Sequence, residues 1–493
     1  MLDLETMQQK NSSKSLTLLI LSTILGIMAG SISIFLADRF ASINMTYILI
    51  ILLTLSIVLP VILRFIKKSF DLAEPAVWFA FYYFTLFVMR AVYDLSFGSD
   101  ILGFKPDTSD LQLLNSSLLV ATIGIIAFWV GYHLRVGRTL SNLIPKLPRA
   151  WNQNNALHIG VLFVAIGWLS RIILTVYLSG GLIAWLTSDK YVLLTRAAGT
   201  QYLNLFSSLA IIGLFILILY WINSSYKNYL VKYIILVFFI LDVFYRIFSG
   251  SRFQLINLLI SICIIYYMSS KRGYNVSLKY LNFLLILGVA FVIAYPVLSI
   301  LRGGVSNLDA ALSRVYEFWI NPLTIFQIIG ARQHGLDSLA LIMDKVPKEE
   351  PFTLGSELLL IVVAWIPRQI WPDKPITSIG KIFYERFFPP IFHEGTSAAP
   401  TLPGEFYWAF GIFGVILGML FIGILWRFLH EYLVKPKGNI SNALMVSVIF
   451  SSFFIPAEQT IVGLLTMHLP VFFIVLFISA TIKGRDLSLK GGL

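Results

Sequence analysis

Apolar runs dominate this chain, and polar residues gather in short intervals between them. Runs of roughly 20 residues, the length that crosses about 30 Å of hydrocarbon, recur near 15–37, 44–63, 73–93, 112–134, 155–178, 201–222, 230–249, 252–268, 279–300, 404–426, 440–456 and 462–482. The pattern predicts an all-α polytopic membrane protein of about 12 transmembrane helices. One interval departs from it. Residues 301–403 form the longest polar stretch, dividing the chain into a membrane domain over 1–300 with about nine helices, a loop over 301–403, and a membrane domain over 404–493 with about three.

The loop has a pattern of its own. Leu308, Leu312, Val315, Trp319, Leu323 and Phe326 recur at helical spacing opposite Asp309, Arg314 and Glu317, predicting an amphipathic helix over 307–329 at the membrane surface. Residues 357–366 are apolar but too short to span, so a re-entrant or buried helix ending at Pro367 is expected. A second short helix is expected over 376–388. The remainder is rich in Pro and Gly, as in an ordered lid or pocket wall.

Charge gives the orientation. The short connections holding Arg64, Lys67 and Lys68, then Arg135 to Arg149, Lys227 and Lys232, Lys271 to Lys279, Arg427 to Lys437, and the tail Lys483 to Lys490 are basic. With the polar N-terminus, they form every second connection. The positive-inside rule therefore places both termini in the cytoplasm and 301–403 outside. A first apolar run long enough to span argues against a cleaved signal peptide. Charged residues make up 13% of the chain, against roughly 25% in soluble domains. The net charge of +12 thus reflects cytoplasmic loops rather than a nucleic-acid partner. The lone Cys263 permits no internal disulfide.

No P-loop, GxGxxG, HExxH, CxxC or Asp-x-Asp is present, so neither ATP hydrolysis, a nucleotide-activated donor, a cofactor nor a metal is expected. The positive signal is basic residues outside: Arg196, Arg252, Arg302, Arg314, Arg332, Arg368, Lys374, Lys381 and Arg386. Guanidiniums offer paired planar donors to phosphate or carboxylate, which suggests a pyrophosphate clamp. The same residues could instead snorkel to headgroups or pair with Asp309, Glu357, Asp373, Glu385 and Glu394. PRQIWPDKP (367–375) stiffens its loop with three prolines, presenting Arg368 and Lys374 to phosphate or sugar, with Trp371 as a stacking face. The competing reading is an interfacial Trp anchor beside a charged turn.

Candidate bases are Glu405, His393 and Asp373, with His334 the other outside histidine. Glu405 opens an apolar helix after Pro403 and Gly404, where it would serve as a base or as a charge favoured by the helix dipole. Glu458 and Asp242 are unusual acids in apolar surroundings. Asp242 has Arg246 one turn away as a potential partner. Trp168, Trp185, Tyr191, Tyr202, Trp319, Trp365 and Trp371 near the outer interface fit a membrane belt or a sugar platform.

Taken together, DLAEPAVWFAFYYFTLFVMRAVYDL (71–95), the GG, Tyr and Arg of 180–196, SGSR (249–252), RGG (302–304), DSLALIM (337–343), PRQIWPDKP and GEFYWAFGIFGVILGM resemble the Wzy-type oligosaccharide repeat-unit polymerases of O-antigen, capsule and exopolysaccharide assembly. The resemblance implies a GT-C-type glycosyltransferase of the bacterial plasma (inner) membrane, using no metal or nucleotide sugar. It implies transfer of a growing glycan from undecaprenyl pyrophosphate onto an incoming lipid-linked repeat unit. A chain-length regulator and a flippase are the implied partners. By the same resemblance, Arg252, Arg302 and Arg368 bind pyrophosphate, with Arg386 and Lys374 behind them and Arg196 and Arg332 also available. O-antigen ligases carry a His-Asn pair before a Gly-x-x-Gly helix. Here Pro400 and Thr401 stand before GIFG (411–414), which departs from the ligase pattern. A flippase for lipid-linked glycans is the main rival, but it would favour internal symmetry and mid-membrane charge.

Overall fold

The computed structural model describes residues 43–67, 69–97, 111–187, 200–224, 229–249, 252–269, 330–364, 373–388, 398–453 and 460–482, with isolated positions 286, 313, 316, 320, 321, 366, 370 and 371. Every regular element among these residues is a helix, with no strand among them. Among the described residues, seven helices are long and apolar enough to cross a membrane. They are α1 (Ile43–Ile66), α2 (Pro75–Phe97), α3 (Leu111–His133), α5 (Gln153–Ser179), α7 (Gln201–Asn223), α13 (Leu402–Val434) and α15 (Ile461–Thr481).

The expected spans at 230–249 and 252–268 appear as separate helices, α8 (Tyr229–Phe248) and α9 (Arg252–Ser269). Another apolar helix, α14, covers Ile440–Phe453. Short helices α4 (Arg135–Leu143) and α6 (Leu182–Thr187) lie between spans. In the loop stand α10 (Gly335–Lys345), α11 (Leu360–Ala364, continuing a 3-10 turn at Ser356–Leu359) and α12 (Ile379–Phe387). The spans expected at 15–37 and 279–300 lie outside the described residues, as does most of the amphipathic helix expected over 307–329.

Two helix pairs organise the bundle: α3 with α13, and α5 with α7. Between lipid-solvated helices there is little hydrophobic drive to associate, so close backbone approach through small residues supplies the contact. A Cβ on Gly131 of α3 would lie 2.0 Å from the Leu420 carbonyl oxygen, and one on Gly423 of α13 would lie 2.1 Å from that of Phe128. Gly124 and Gly137 of the first chain segment face Val415 and Ile424 in the same ascending order, so α3 and α13 run in the same direction. That puts the start of α13, and the 330–400 layer before it, at the bundle end where α2 finishes.

The opposite end is fastened by connections. Tyr432 donates to the Pro145 carbonyl at 2.7 Å, Trp151 to the Ser441 hydroxyl at 2.8 Å, and the Asn152 amide to the Ile482 carbonyl at 2.7 Å. Beside Asn152, α5 begins, so its far terminus at Ser179 reaches the same end as the 330–400 layer.

Two sequence expectations change. Of the two alternatives at 357–366, a re-entrant or a buried helix, burial within the protein does not hold: none of α11 is buried, and Val362 is 71% exposed. Leu360 and Ile361 pack against the edge of the neighbouring loop core, while Val362 stays exposed. The run expected as one span at 404–426 is broken, for reasons given below, and continues past it through a π turn to Val434.

Candidate functional site

The 330–400 layer has its own small core. Ile342 and Val346 of α10, Ile379, Phe383 and Phe387 of α12, Trp408 and Val462 pack together. Each helix presents apolar residues at helical spacing, and their union buries what no single short helix could. A buried ion cluster locks this layer to the bundle. Arg90 of α2 reaches Asp337 of α10 at 2.6 Å and Asp94 at 2.9 Å, and donates to the Gly330 carbonyl at 3.0 Å. All three side chains are essentially inaccessible. The guanidinium also lies 4.8 Å from the Tyr93 ring centroid.

Behind that lock the chain enters α13. Thr401 takes a positive φ of 65° and its hydroxyl accepts from the Gly404 amide at 3.3 Å, capping the helix, with Pro403 in the first turn. One turn in, Glu405 Oε2 accepts from the Ile461 amide at 2.6 Å. It therefore satisfies a free N–H at the start of α15, where negative charge meets the helix dipole. Its Oε1 is buried with no hydrogen-bond partner among the described residues.

The helix then breaks. Phe410 and Gly411 leave helical geometry, Gly411 at φ 62° and ψ −147°, a conformation that only glycine adopts without strain. The carbonyls released by the break are not orphaned. Trp408 and Ala409 accept from the Thr353 and Leu354 amides at 3.1 and 3.2 Å. So 402–409 belongs to the loop layer, and Glu405 stands there rather than at the mouth of a continuous span.

The residues singled out from sequence divide sharply. Arg386 sits 3.6 Å from Glu350 and 5.6 Å from the Trp408 ring centroid, about half exposed. Lys374 is buried, donating to the Ile366 carbonyl at 2.8 Å and the Ala364 carbonyl at 3.3 Å. Its ammonium closes the end of α11. Asp373, Trp371 and Arg332 are exposed. Lys381 pairs with Glu385 along α12 at 3.6 Å. Arg252 opens α9, with its side chain outside the described residues; Arg196, Arg302, Arg368, His393 and Glu458 also lie outside them.

A second buried ion cluster lies in the other half of the bundle. Asp242 of α8 pairs with Arg246 at 2.6 Å, as the i, i+4 spacing suggests, and also with Arg171 of α5. Arg246 further donates to the Gln254 carbonyl at 2.9 Å. Sequence reasoning passed over Arg171, Arg90, Asp94 and Asp337. For the two arginines a signal existed: each lies inside an apolar run of spanning length, where an ionisable residue needs a partner.

No curated protein and no solved structure matches this chain. A family model, the O-antigen polysaccharide polymerase Wzy, matches residues 16–485. That is nearly the whole sequence, and the chain accordingly belongs to the O-antigen polysaccharide polymerase Wzy family of membrane proteins.

Proposed function

We propose that the protein polymerises oligosaccharide repeat units carried on undecaprenyl pyrophosphate, in a GT-C-like membrane fold, with the 330–409 layer on the outer face of the bacterial plasma membrane and both termini in the cytoplasm. The acceptor hydroxyl attacks the anomeric carbon of the growing glycan. The bond from that carbon to the pyrophosphate oxygen breaks, lipid pyrophosphate leaves with the electron pair, and the hydroxyl proton passes to a base. Arg252, Arg302 and Arg368 stabilise the charge growing on pyrophosphate, with Arg386 and Arg332 of the 330–409 layer behind them. Lys374 is spent on carbonyls and shapes the loop.

The observation that supports this reading is Glu405: a buried carboxylate in the 330–409 layer, with Oε2 accepting from the Ile461 amide and Oε1 without a hydrogen-bond partner among the described residues. It is the first choice for the base, ahead of His393 and Asp373. Its cap on α15 and its proton-accepting role separate in one substitution. Glu405→Gln keeps a carbonyl oxygen for the Ile461 amide but cannot accept a proton. Purified protein given lipid-pyrophosphate-linked repeat units and a chelator should yield a ladder spaced by one repeat. Glu405→Gln should reduce ladder formation by about 100-fold or more with thermal stability unchanged. A full ladder from the variant would move the base elsewhere; no ladder from the parent protein, with substrate crossing vesicle bilayers, would leave a flippase.

A further inference from the structure

The short helices of the loop layer present two kinds of surface. The exposed side of α10 and the turn after it carries Asp344 and Lys348, paired at 3.5 Å, and that of α12 carries Lys381, Glu385 and Arg386. Helix α11 differs. Leu360 and Ile361 pack on the loop core, while Leu358, Leu359 and Val362 share the opposite face at helical spacing and are exposed. Leu354 before them and Ile370 after them are each 70% exposed or more. No residue from Leu358 to Ala364 is charged. An apolar face of this kind, beside charged faces in the same layer, marks an interaction surface.

The face continues the lipid-facing side of the bundle. The Thr353 and Leu354 amides donate to the Trp408 and Ala409 carbonyls, so the segment starts at the break in α13. A Cβ on Gly355 would lie 3.6 Å from the Phe410 ring, and Phe410, Phe413 and Leu417 are exposed in turn along α13. Helix α11 also packs against α15, another of the spans. Together the 3-10 turn and α11 reach roughly 15 Å, about half the thickness of the hydrocarbon core.

The backbone at the far end is closed internally. A helix end leaves carbonyls that water ordinarily takes. Here the buried Lys374 ammonium donates to the Ala364 and Ile366 carbonyls, and the Ile366 amide donates to the Val363 carbonyl at 3.1 Å. Hydrocarbon surroundings demand such internal satisfaction. Trp371 is exposed just past this end, followed by the exposed Asp373, as in a ring seated at a membrane–water interface.

We propose that this face docks into the bilayer itself. Leu354, Leu358, Leu359, Val362 and Ile370 enter the hydrocarbon of the leaflet at their end of the bundle, and Trp371 sits at its interface. The docking is independent of the polymerase reading and requires only a membrane-spanning bundle. A helix seated there holds the break in α13, and the 402–409 segment beside it, at the level of the headgroups.

The test uses full-length protein with Cys263→Ser, which removes the one cysteine, reconstituted in phosphatidylcholine nanodiscs. A nitrobenzoxadiazole label is placed at Val362→Cys or Leu359→Cys, with Phe413→Cys as the lipid reference and Lys348→Cys as the aqueous one. Two positions on one face keep the test open if either variant fails to fold. Both loop labels should emit at wavelengths as short as the Phe413→Cys label does. Lipids carrying a nitroxide on the acyl chain should quench them as strongly as that reference, and iodide no more strongly. If iodide quenches them as it does the Lys348→Cys label, and nitroxide lipids leave them bright, the face lies in water and the proposal falls. Shielding from both quenchers would also overturn it, because protein would then cover the face; a doubled particle mass would identify a second copy.

Discussion

Two buried arginine clusters occupy the two halves of this bundle, and they are opposite in composition. Around Arg90, one guanidinium faces two carboxylates, Asp94 and Asp337. Around Asp242, one carboxylate faces two guanidiniums. The first joins elements from different layers, since Asp337 lies on the loop helix α10. The second sits within the membrane bundle and, among the described residues, joins α5, α8 and α9. Burying ions costs several kcal/mol each, and a pair repays that only when geometry and additional hydrogen bonds are complete. The Arg90 cluster has a carbonyl as a further partner, and so has the Asp242 cluster, through Arg246 and Gln254. In each, the Nε of one arginine has no hydrogen-bond partner among the described residues. The difference is one of reach: the first ties the loop layer to the bundle, and the second ties α5, α8 and α9 to one another.

Breaking the fastening should have the largest effect. Arg90→Ala leaves two carboxylates buried without their cation, a change expected to cost about 3–5 kcal/mol. Thermal unfolding in detergent should show it as a large loss of stability, with early proteolysis in 330–400. Asp94→Asn should be much milder because the Arg90–Asp337 pair survives. If Arg90→Ala unfolded no earlier than the parent, the loop layer would be held by its apolar core alone.

Arg171→Gln should come next, at about 1–2 kcal/mol, because Asp242 keeps Arg246. Set beside Arg90→Ala, it tests the contrast directly. A cost for Arg171→Gln equal to that for Arg90→Ala would make both clusters fastenings. A small cost would keep them distinct.

How far the sequence reaches follows the same line. Spans were legible because length and apolarity are local properties, and the described helices fall on the expected runs from 44 to 268 and from 404 to 482. The break at Phe410–Gly411 was hidden: both flanks are apolar, and the amides that receive its carbonyls come from Thr353 and Leu354. Asp242 and Arg246 were legible as neighbours one turn apart. Arg90 and Asp337 were not, being 247 positions apart. Lys374 read as a cation offered to substrate because the carbonyls that take it are main-chain atoms, which composition does not display. Glu405 stood out by type, but its partner is the amide of a helix 56 positions later.

A third cluster, at the opposite end of the bundle, supplies the mildest test. Glu74 is buried before α2, 3.2 Å from Arg64, and accepts from the Tyr132 hydroxyl. Burial raises its carboxyl above the ordinary value of 4.5, outweighing Arg64 and the Tyr132 hydrogen bond, which pull it down. Between the ordinary and the raised value, the native state binds more proton than the unfolded chain does. Stability contributed by Glu74 is therefore full below pH 4.5 and falls as pH rises through the native value. Glu74→Gln should flatten that stretch of the stability-versus-pH curve while Arg64 and Tyr132 keep a neutral partner. A curve that still fell by the same amount would place the titrating group elsewhere. A curve that rose instead would mean that Arg64 and Tyr132 dominate over burial, making this end of the bundle a completed fastening of the Arg90 kind.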